Sequence, residues 1–142
     1  MNEDSLIIKN NLEHIKWEQL SKLFLEVGWN NHKVDRIIKA FENSQIVAIG
    51  YIENKVMGCG RVLTDHEFYA TIYDVAIHPE FQGKGIGKAI VSNLLEHLDD
   101  ISFVHLTATT GNEEFYRNLG LKKHKTAMGR YLNLSLEEEY LD

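Results

Sequence analysis

Apolar residues in the first third of the chain recur at helical spacing in two places. The spacing predicts one helix over residues 17–27, which Gly28 ends, and a second helix over residues 34–41. A short apolar run before them, over residues 5–10, predicts a strand. The chain therefore begins with a strand followed by two amphipathic helices.

From residue 45 the pattern changes to runs of apolar and β-branched residues. Runs over residues 45–52 and 55–63 are joined across Glu53 and Asn54, which predicts an antiparallel hairpin. A third run, over residues 69–77, ends just before Pro79, whose missing N–H cannot donate to a strand ladder. Three consecutive strands are expected here.

The remaining elements alternate between helix and strand. The clearest amphipathic pattern predicts a helix over residues 86–98, with a strand over residues 102–108 after it. A short helix over residues 113–119 and a weaker strand or hairpin over residues 125–134 complete the pattern. The order β-α-α-β-β-β-α-β-α-β predicts an α/β (α+β) fold with a partly parallel, partly antiparallel sheet. With no linker or repeat in sight, residues 1–142 are expected to form a single domain.

Composition narrows the class of protein. A length of 142 residues is typical of one domain with a real core, and 44% hydrophobic residues with 25% charged ones exclude disordered and collagen-like chains. The lone Cys59 cannot form an internal disulfide, and the seven His residues show no ligand spacing, so no metal site is expected. Cys59, between two glycines in an apolar run, is interpreted as core.

Charge and terminal sequence indicate the partners. A net charge of -6 disfavours nucleic acid and anionic membranes and favours a cationic substrate. The N-terminal MNEDSLIIKNN lacks the apolar run of a signal peptide, and no stretch is long enough to span a membrane. We expect a cytoplasmic protein.

The most informative segment is the glycine turn, QGKGIGK over residues 82–88, between a predicted strand and a predicted helix. Glycines let the backbone approach a ligand, and a helix N-terminus offers unpaired N–H groups, so the turn is either a phosphate seat or a plain connection. The segment does not fit a Walker loop, which needs Gly, four residues and then Gly-Lys-Ser/Thr. It does not fit the dinucleotide fingerprint Gly-x-Gly-x-x-Gly either, since Lys88 or Ile90 stands where the third glycine would be required. ATP and NAD are therefore disfavoured.

The turn does match Q-x-x-G-x-G, and with the preceding DVAIHP of residues 74–79 it resembles the acetyl-CoA motif of the GCN5-related N-acetyltransferase (GNAT) superfamily. The segment FYRNLGL, residues 115–121, is similar to another motif of that family. The order of predicted elements is also the family's order, which implies helices on both faces of the sheet. Segments around Val27, Ser44 and Thr64 resemble a branch that includes plant plastid serotonin (arylalkylamine) and protein-lysine acetyltransferases.

The resemblance implies acetyl-CoA as cosubstrate, held where the fourth strand parts from the fifth. Backbone groups of Val75 and Ile77 would bond the pantetheine, while N–H groups of the glycine turn hold the pyrophosphate beside Lys84 and Lys88. The residues assigned to the cofactor are Val75, Ala76, Ile77, Gln82, Gly83, Lys84, Gly85, Ile86, Gly87, Lys88, Thr109 and Tyr116. Thr109 stands where the family often has Asn, and offers only a hydroxyl.

Amine acetylation proceeds by direct attack of a neutral amine on the thioester, so it needs a proton acceptor and a proton donor but no enzyme nucleophile. Family members commonly place a Tyr as the donor at the position of Tyr116. Four residues in or just before the fourth strand are candidates for the acceptor: Asp74, His66, Asp65 and Tyr73. Asp74 is nearest the reacting carbonyl, and His66 is the side-chain type that titrates near neutral pH.

Loops over residues 28–33 and 64–68 are the candidate walls of the acceptor pocket. Trp29 and Phe68 in these loops would either line an aromatic amine pocket or simply pack. The resemblance implies an N-acetyltransferase for a small amine or a lysine side chain, and is compatible with a homodimer. The alternative is a non-catalytic module that binds or senses acyl-CoA.

Overall fold

Five strands form one mixed sheet in the order β1-β2-β3-β4-β5 in the computed structural model, which describes residues 5–142. Residues 1–4, at the start of the acidic N-terminal segment, lie outside the described residues. The strands are β1 Ile7–Lys9, β2 Ile46–Ile52, β3 Lys55–Thr64, β4 Tyr69–Ile77 and β5 Phe103–His105. Neighbours are antiparallel except β4 and β5, which are parallel. The predicted α/β fold with a mixed sheet is confirmed.

Helices lie on both faces of this sheet, as the resemblance implied. They are α1 Trp17–Glu26, α2 Val34–Glu42, α3 Ile86–Glu96, α4 Glu113–Arg117 and α5 Leu134–Tyr140, with a 3-10 turn at Pro79–Phe81. The first four helices fall where the apolar spacing predicts them. No helix among residues 5–142 is both long and apolar enough to cross a membrane.

Two apolar cores result because side chains alternate between the faces of each strand. On one face, Phe24 of α1 and Phe41 of α2 pack on Val47 and Ile49 of β2. On the other face, Ile90 of α3 packs with residues of β2, β3 and β4. The sheet is therefore held between the α1–α2 pair and α3.

The predicted strand or hairpin over residues 125–134 is wrong. Residues 125–133 contain no strand, and α5 begins at Leu134. Asn133 caps this helix, since its side-chain oxygen accepts from the N–H groups of Ser135 at 2.9 Å and Leu136 at 3.2 Å. The apolar residues that favoured a strand are not covered by a second layer: Met128 is 95% exposed and Leu132 is 86% exposed. β5 is also shorter than predicted, since only residues 103–105 pair with β4.

β4 contains a bulge near the point where it separates from β5. Between the pairs Cys59↔Ala76 and Arg61↔Tyr73, two residues of β4 lie opposite one residue of β3. One of them, Asp74, has a φ of 56°. Pairing of β4 with β5 ends at Thr71↔His105. A bulge bends the strand that carries it, so β4 and β5 part beyond this point and leave a gap.

Close packing of α3 on β3 depends on Gly58. A Cβ atom there would lie 2.6 Å from Cδ1 of Ile90 and 2.9 Å from Cδ1 of Ile77. We expect Gly58→Ala to lower the free energy of unfolding by about 1–3 kcal/mol, the usual cost of overpacking a core. Urea denaturation measures this change. The control is Gly129→Ala, whose Cβ would meet Leu141 at an ordinary 3.7 Å; equal stability of the two variants would contradict the prediction.

Candidate active site

A cleft of about 680 Å³, called the glycine-turn cleft, opens where β4 parts from β5. It lies between the end of β4, the start of α3 and α4. Its lining residues are Val27, Trp29, Val75, Ala76, Ile77, Gln82, Gly83, Gly85, Gly87, Lys88, Thr109, Asn112, Phe115 and Tyr116. Most of the residues predicted to hold a cofactor therefore line one cavity.

The glycine turn has the geometry of an anion seat. Gly83 and Gly85 have φ of 80° and 85°, and a Cβ atom at either position would meet no protein atom within 4 Å. Gly85 precedes the first residue of α3 and gives it no side-chain cap. The first N–H groups of α3 are thus available to an anion, which the helix dipole would also attract.

The side chains around this turn divide into two groups. Lys88 lines the glycine-turn cleft, whereas Lys84 is not among the lining residues and places its Nζ 5.2 Å from the ring centroid of Phe81. Ile86 is buried in the core on the α3 face, so only its backbone can face a ligand. The Gln82 side chain donates to the carbonyl oxygen of Ile77 at 3.1 Å and ties the turn to the end of β4.

Tyr116 lies on α4 at the wall of the glycine-turn cleft, half-buried against Phe115, with the ring centroids 4.9 Å apart. Burial raises the pKa of the Tyr116 phenol, so the hydroxyl stays protonated at neutral pH and can donate a proton. Thr109 also lines this cleft, and its hydroxyl oxygen accepts a hydrogen bond from the Asn112 side chain at 2.5 Å. Asn112 was missed by the sequence analysis as a lining residue.

Asp74 stands at the bulge with both carboxylate oxygens engaged. Its Oδ2 accepts from Nε of Arg61 at 2.7 Å, and its Oδ1 accepts from Nε2 of His32 at 2.9 Å. Burial by itself would raise the pKa of Asp74, but the hydrogen bonds from His32 and Arg61 outweigh it and lower that pKa below its ordinary value. Asp74 is therefore a carboxylate at neutral pH.

A second cavity of about 530 Å³, called the C-terminal cleft, lies beside the glycine-turn cleft. It shares Trp29 and Thr109 with the glycine-turn cleft, so the two adjoin there. Its lining residues are Gly28, Trp29, Asn30, Asn31, His32, Asp74, Thr107, Ala108, Thr109, Tyr131, Asn133, Ser135, Leu136 and Tyr140. The list includes three aromatic side chains, Trp29, Tyr131 and Tyr140, and α5, which the sequence did not predict, supplies one wall.

The other candidate bases lie elsewhere. His66 and Asp65 occupy the exposed loop before β4. Val75 lies near the other end of this strand, and the strand from Tyr69 to Val75 is about 20 Å long. The carboxylate of Asp65 accepts from the N–H groups of Tyr69 and Glu67, which lowers its pKa and ties it to the turn. Phe68 lies in the same loop and is 60% exposed. The structure does not bring this loop to either cleft.

Cys59, which was predicted to be a core residue, and Tyr73, a candidate base, are absent from the lining of both clefts. Cys59 is fully buried, as the core interpretation required, and burial raises the pKa of its thiol well above the usual range. Tyr73 lies beneath Arg61, whose guanidinium carbon is 5.4 Å from the Tyr73 ring centroid. Among residues 5–142 no group of three or more His, Cys, Asp or Glu side chains could hold a metal ion.

His32 and Arg61 are the polar partners of Asp74 that the sequence analysis missed. A signal existed for Arg61, because it is the one charged residue within the apolar run over residues 56–63, and a buried charge requires a partner. His32 gave no such signal, since it lies in a polar loop 42 residues before Asp74.

Comparisons with known proteins agree with this architecture. This architecture consists of a bulged strand, a strand pair that parts beyond the bulge, and an uncapped glycine turn at the start of a helix. The model of the acetyltransferase (GNAT) family matches residues 11–121, and the chain belongs to this family. The family resemblance drawn from the sequence is confirmed.

Similar proteins come from several sources. Histone acetyltransferase TAP1 of Glycine max is 36% identical over 116 residues, which cover 72% of this chain and 50% of that protein. The chloroplastic serotonin N-acetyltransferase 2 of Oryza sativa subsp. japonica is 29% identical over 107 residues, or 71% of this chain and 54% of that protein. The chain spans about half the length of these two relatives.

The fold has solved counterparts. A Staphylococcus aureus protein described as a probable acetyltransferase of unknown function superposes with a TM-score of 0.81. The match covers 91% of this chain and 99% of that protein at 19% identity. At this level of identity the similarity concerns the fold.

Proposed function

We propose that the protein transfers an acetyl group from acetyl-CoA to a primary amine. The observation that carries this proposal is the junction of two clefts at the β4–β5 gap. One cleft contains the open glycine turn and Tyr116, and the other contains the Asp74 carboxylate. Because the two clefts share Trp29 and Thr109, a cofactor in one and an acceptor in the other can meet where they adjoin.

The residues present fit acetyl-CoA. Its pyrophosphate would lie against the N–H groups at Gly83, Gly85 and the start of α3, where added Cβ atoms would meet open space. Lys88 would add positive charge beside it. The backbone of residues 75–77, beyond the end of the β4–β5 ladder, would bond the pantetheine and polarise the thioester carbonyl.

In the reaction, the amine nitrogen attacks the acetyl carbon, the carbon–nitrogen bond forms and the carbon–sulfur bond breaks. Tyr116 gives its phenolic proton to the departing thiolate, since it lines the cleft and stays protonated. The amine nitrogen loses one proton to a base or to solvent as the amide forms, and solvent returns a proton to Tyr116. The products are the acetylated amine and free CoA.

Charge supports an amine as the acceptor. The net charge of -6 favours a cationic molecule, and α5, which supplies one wall of the C-terminal cleft, carries three exposed glutamates, Glu137, Glu138 and Glu139. The names of the two relatives mention a histone and serotonin, which correspond to a lysine side chain and an arylalkylamine. Both acceptor classes remain within the proposal.

The same proposal extends to the chain as a whole. Residues 1–142 would act as one acetyltransferase domain in the cytoplasm, without nucleic acid, membrane or metal as a partner. The net charge of -6 supports the absence of nucleic acid and membrane partners, and the buried, unpaired Cys59 supports the cytoplasm as the location. A homodimer is compatible with the exposed apolar residues of the C-terminal segment, such as Met128 and Leu132.

Cofactor choice provides the first test of function. Acetyl-CoA at 100 times its dissociation constant should stabilise the folded protein by about 2.7 kcal/mol, whereas NAD and ATP should leave the melting temperature unchanged. Thermal melts measure the shift. Equal stabilisation by ATP would contradict the proposed cofactor.

Turnover provides the second test. A panel of aryl-alkylamines, polyamines and lysine peptides with acetyl-CoA, followed by thiol release, should identify at least one acceptor. If acetyl-CoA binds but no amine releases thiol, the protein is a non-catalytic acyl-CoA-binding module instead.

A further inference from the structure

Asp74 is the acid nearest the gap, yet its surroundings disfavour it as the proton acceptor. Arg61 donates to one carboxylate oxygen at 2.7 Å and also contacts the Ser44 hydroxyl at 3.3 Å, with its guanidinium over the rings of Phe41 and Tyr73. This arrangement keeps Asp74 ionised and fixes its orientation. A carboxylate held so firmly as an anion is a poor base but a good orienting group.

The group that Asp74 orients is the imidazole of His32. A carboxylate can only accept, so His32 Nε2 must carry the hydrogen of the 2.9 Å bond. In the neutral ring, Nδ1 then has the free lone pair. Asp74 therefore selects the tautomer of His32, much as a carboxylate does in a catalytic triad.

The His32 ring is also fixed in position by aromatic neighbours. Its centroid lies 4.8 Å from that of Phe24 and 5.4 Å from that of Trp29. The side chain remains 34% exposed and lines the C-terminal cleft. Trp29 contacts His32 and lines both the C-terminal cleft and the glycine-turn cleft. A single side chain, that of Trp29, therefore connects His32 to the glycine-turn cleft.

We propose that His32, oriented by Asp74, is the proton acceptor for the amine in the reaction proposed above. As the nitrogen bonds to the acetyl carbon, its proton passes to Nδ1 of His32, directly or through one water, and the resulting imidazolium is stabilised by Asp74. The proton then leaves to solvent. Tyr116 supplies the separate proton that the thiolate takes up, so the overall exchange balances.

Several charged or titratable groups face His32 from the surrounding elements and would influence its protonation. They are Asp74 on β4, Arg61 on β3, Asp35, Arg36 and Lys39 on α2, and Tyr131 and Tyr140 of the C-terminal segment. Within residues 5–142, Asp74 is the one group hydrogen-bonded to the imidazole, and its negative charge lies beside the imidazolium that the reaction would create.

His32→Gln is the central test, because Gln can still donate to Asp74 but cannot accept a proton in this pH range. We expect kcat/KM to fall at least about tenfold at neutral pH. The fall in rate toward acid pH, caused by protonation of the base, should disappear. Two acceptor amines of different basicity separate this limb from the ionisation of the substrate, because the limb of a protein base stays at one pH for both.

Two further variants separate catalysis from structure. Asp74→Asn removes the negative charge beside the imidazole, so the acidic limb of this variant's pH profile should move to lower pH. In His32→Ala, free imidazole added to the solution should restore part of the rate. The matched control is His97→Gln at the exposed C-cap of α3, where Nδ1 is hydrogen-bonded to the backbone oxygen of Asn93 at 2.8 Å. Its pH profile should match that of the wild type.

The outcomes distinguish this proposal from the proposed function on which it rests. An active wild type whose His32→Gln variant keeps the rate and the acidic limb, with unchanged acetyl-CoA affinity by calorimetry, overturns the role of His32 alone. Loss of the limb in His66→Gln instead would assign the base to the loop before β4. A wild type that turns over no amine overturns both proposals together.

Discussion

Replacing Tyr116 with Phe is expected to lower kcat about 100-fold, the lower end of the range for general acid catalysis. The substitution removes only a hydroxyl and keeps the ring contact with Phe115, so the fold and the dissociation constant of acetyl-CoA should barely change. Such a selective loss of kcat indicates an interaction made in the transition state. Steady-state thiol release and calorimetry measure the two quantities.

The pH profile gives a second readout for the same variant. Because burial raises the pKa of Tyr116, its proton is retained at neutral pH and lost only above the ordinary phenol value of about 10. The wild-type rate should therefore fall on that alkaline side, and this limb should flatten in the Phe variant. Tyr69→Phe, at the exposed far end of β4, is the control. A Tyr116→Phe variant with wild-type kcat would show that Tyr116 only packs.

Filling the glycine turn is the second large effect that we expect. Gly85→Asn should weaken acetyl-CoA binding about 30- to 100-fold, because its side chain would occupy the space that a pyrophosphate needs. This corresponds to about 2–2.7 kcal/mol, roughly one to two hydrogen bonds to a charged group. Asn is chosen because it tolerates the left-handed φ of 85° better than other side chains.

The control variant separates the loss of ligand binding from the backbone strain of placing Asn at a positive φ. Gly120→Asn makes the same substitution at a φ of 96° and also meets open space, but outside the glycine-turn cleft. Both variants should melt at similar temperatures without ligand, and only Gly85→Asn should lose affinity by calorimetry. Unchanged affinity in Gly85→Asn would mean that the glycines form a plain connection.

Much of the fold could be predicted because its signals are local. Apolar spacing of 3.6 residues marks α1, α2 and α3, and β-branched runs around Glu53 and Asn54 mark the hairpin of β2 and β3. The failure at residues 125–134 has a physical cause. A strand needs a neighbouring edge to pair with, and short apolar runs carry no information about whether one is available.

The candidate site likewise contains features with a local sequence signal and features without one. Contiguous residues form the glycine turn, so that feature, the family resemblance and the acid candidate Tyr116 could be predicted from the order of residues along the chain. Which base candidates lie at the clefts could be seen only in the folded chain. Arg61 and His32 meet Asp74 from 13 and 42 residues away, while His66, eight positions before Asp74, lies at the other end of β4. Proximity across a sheet follows from strand register and the bulge, and neither leaves a periodic trace in the chain.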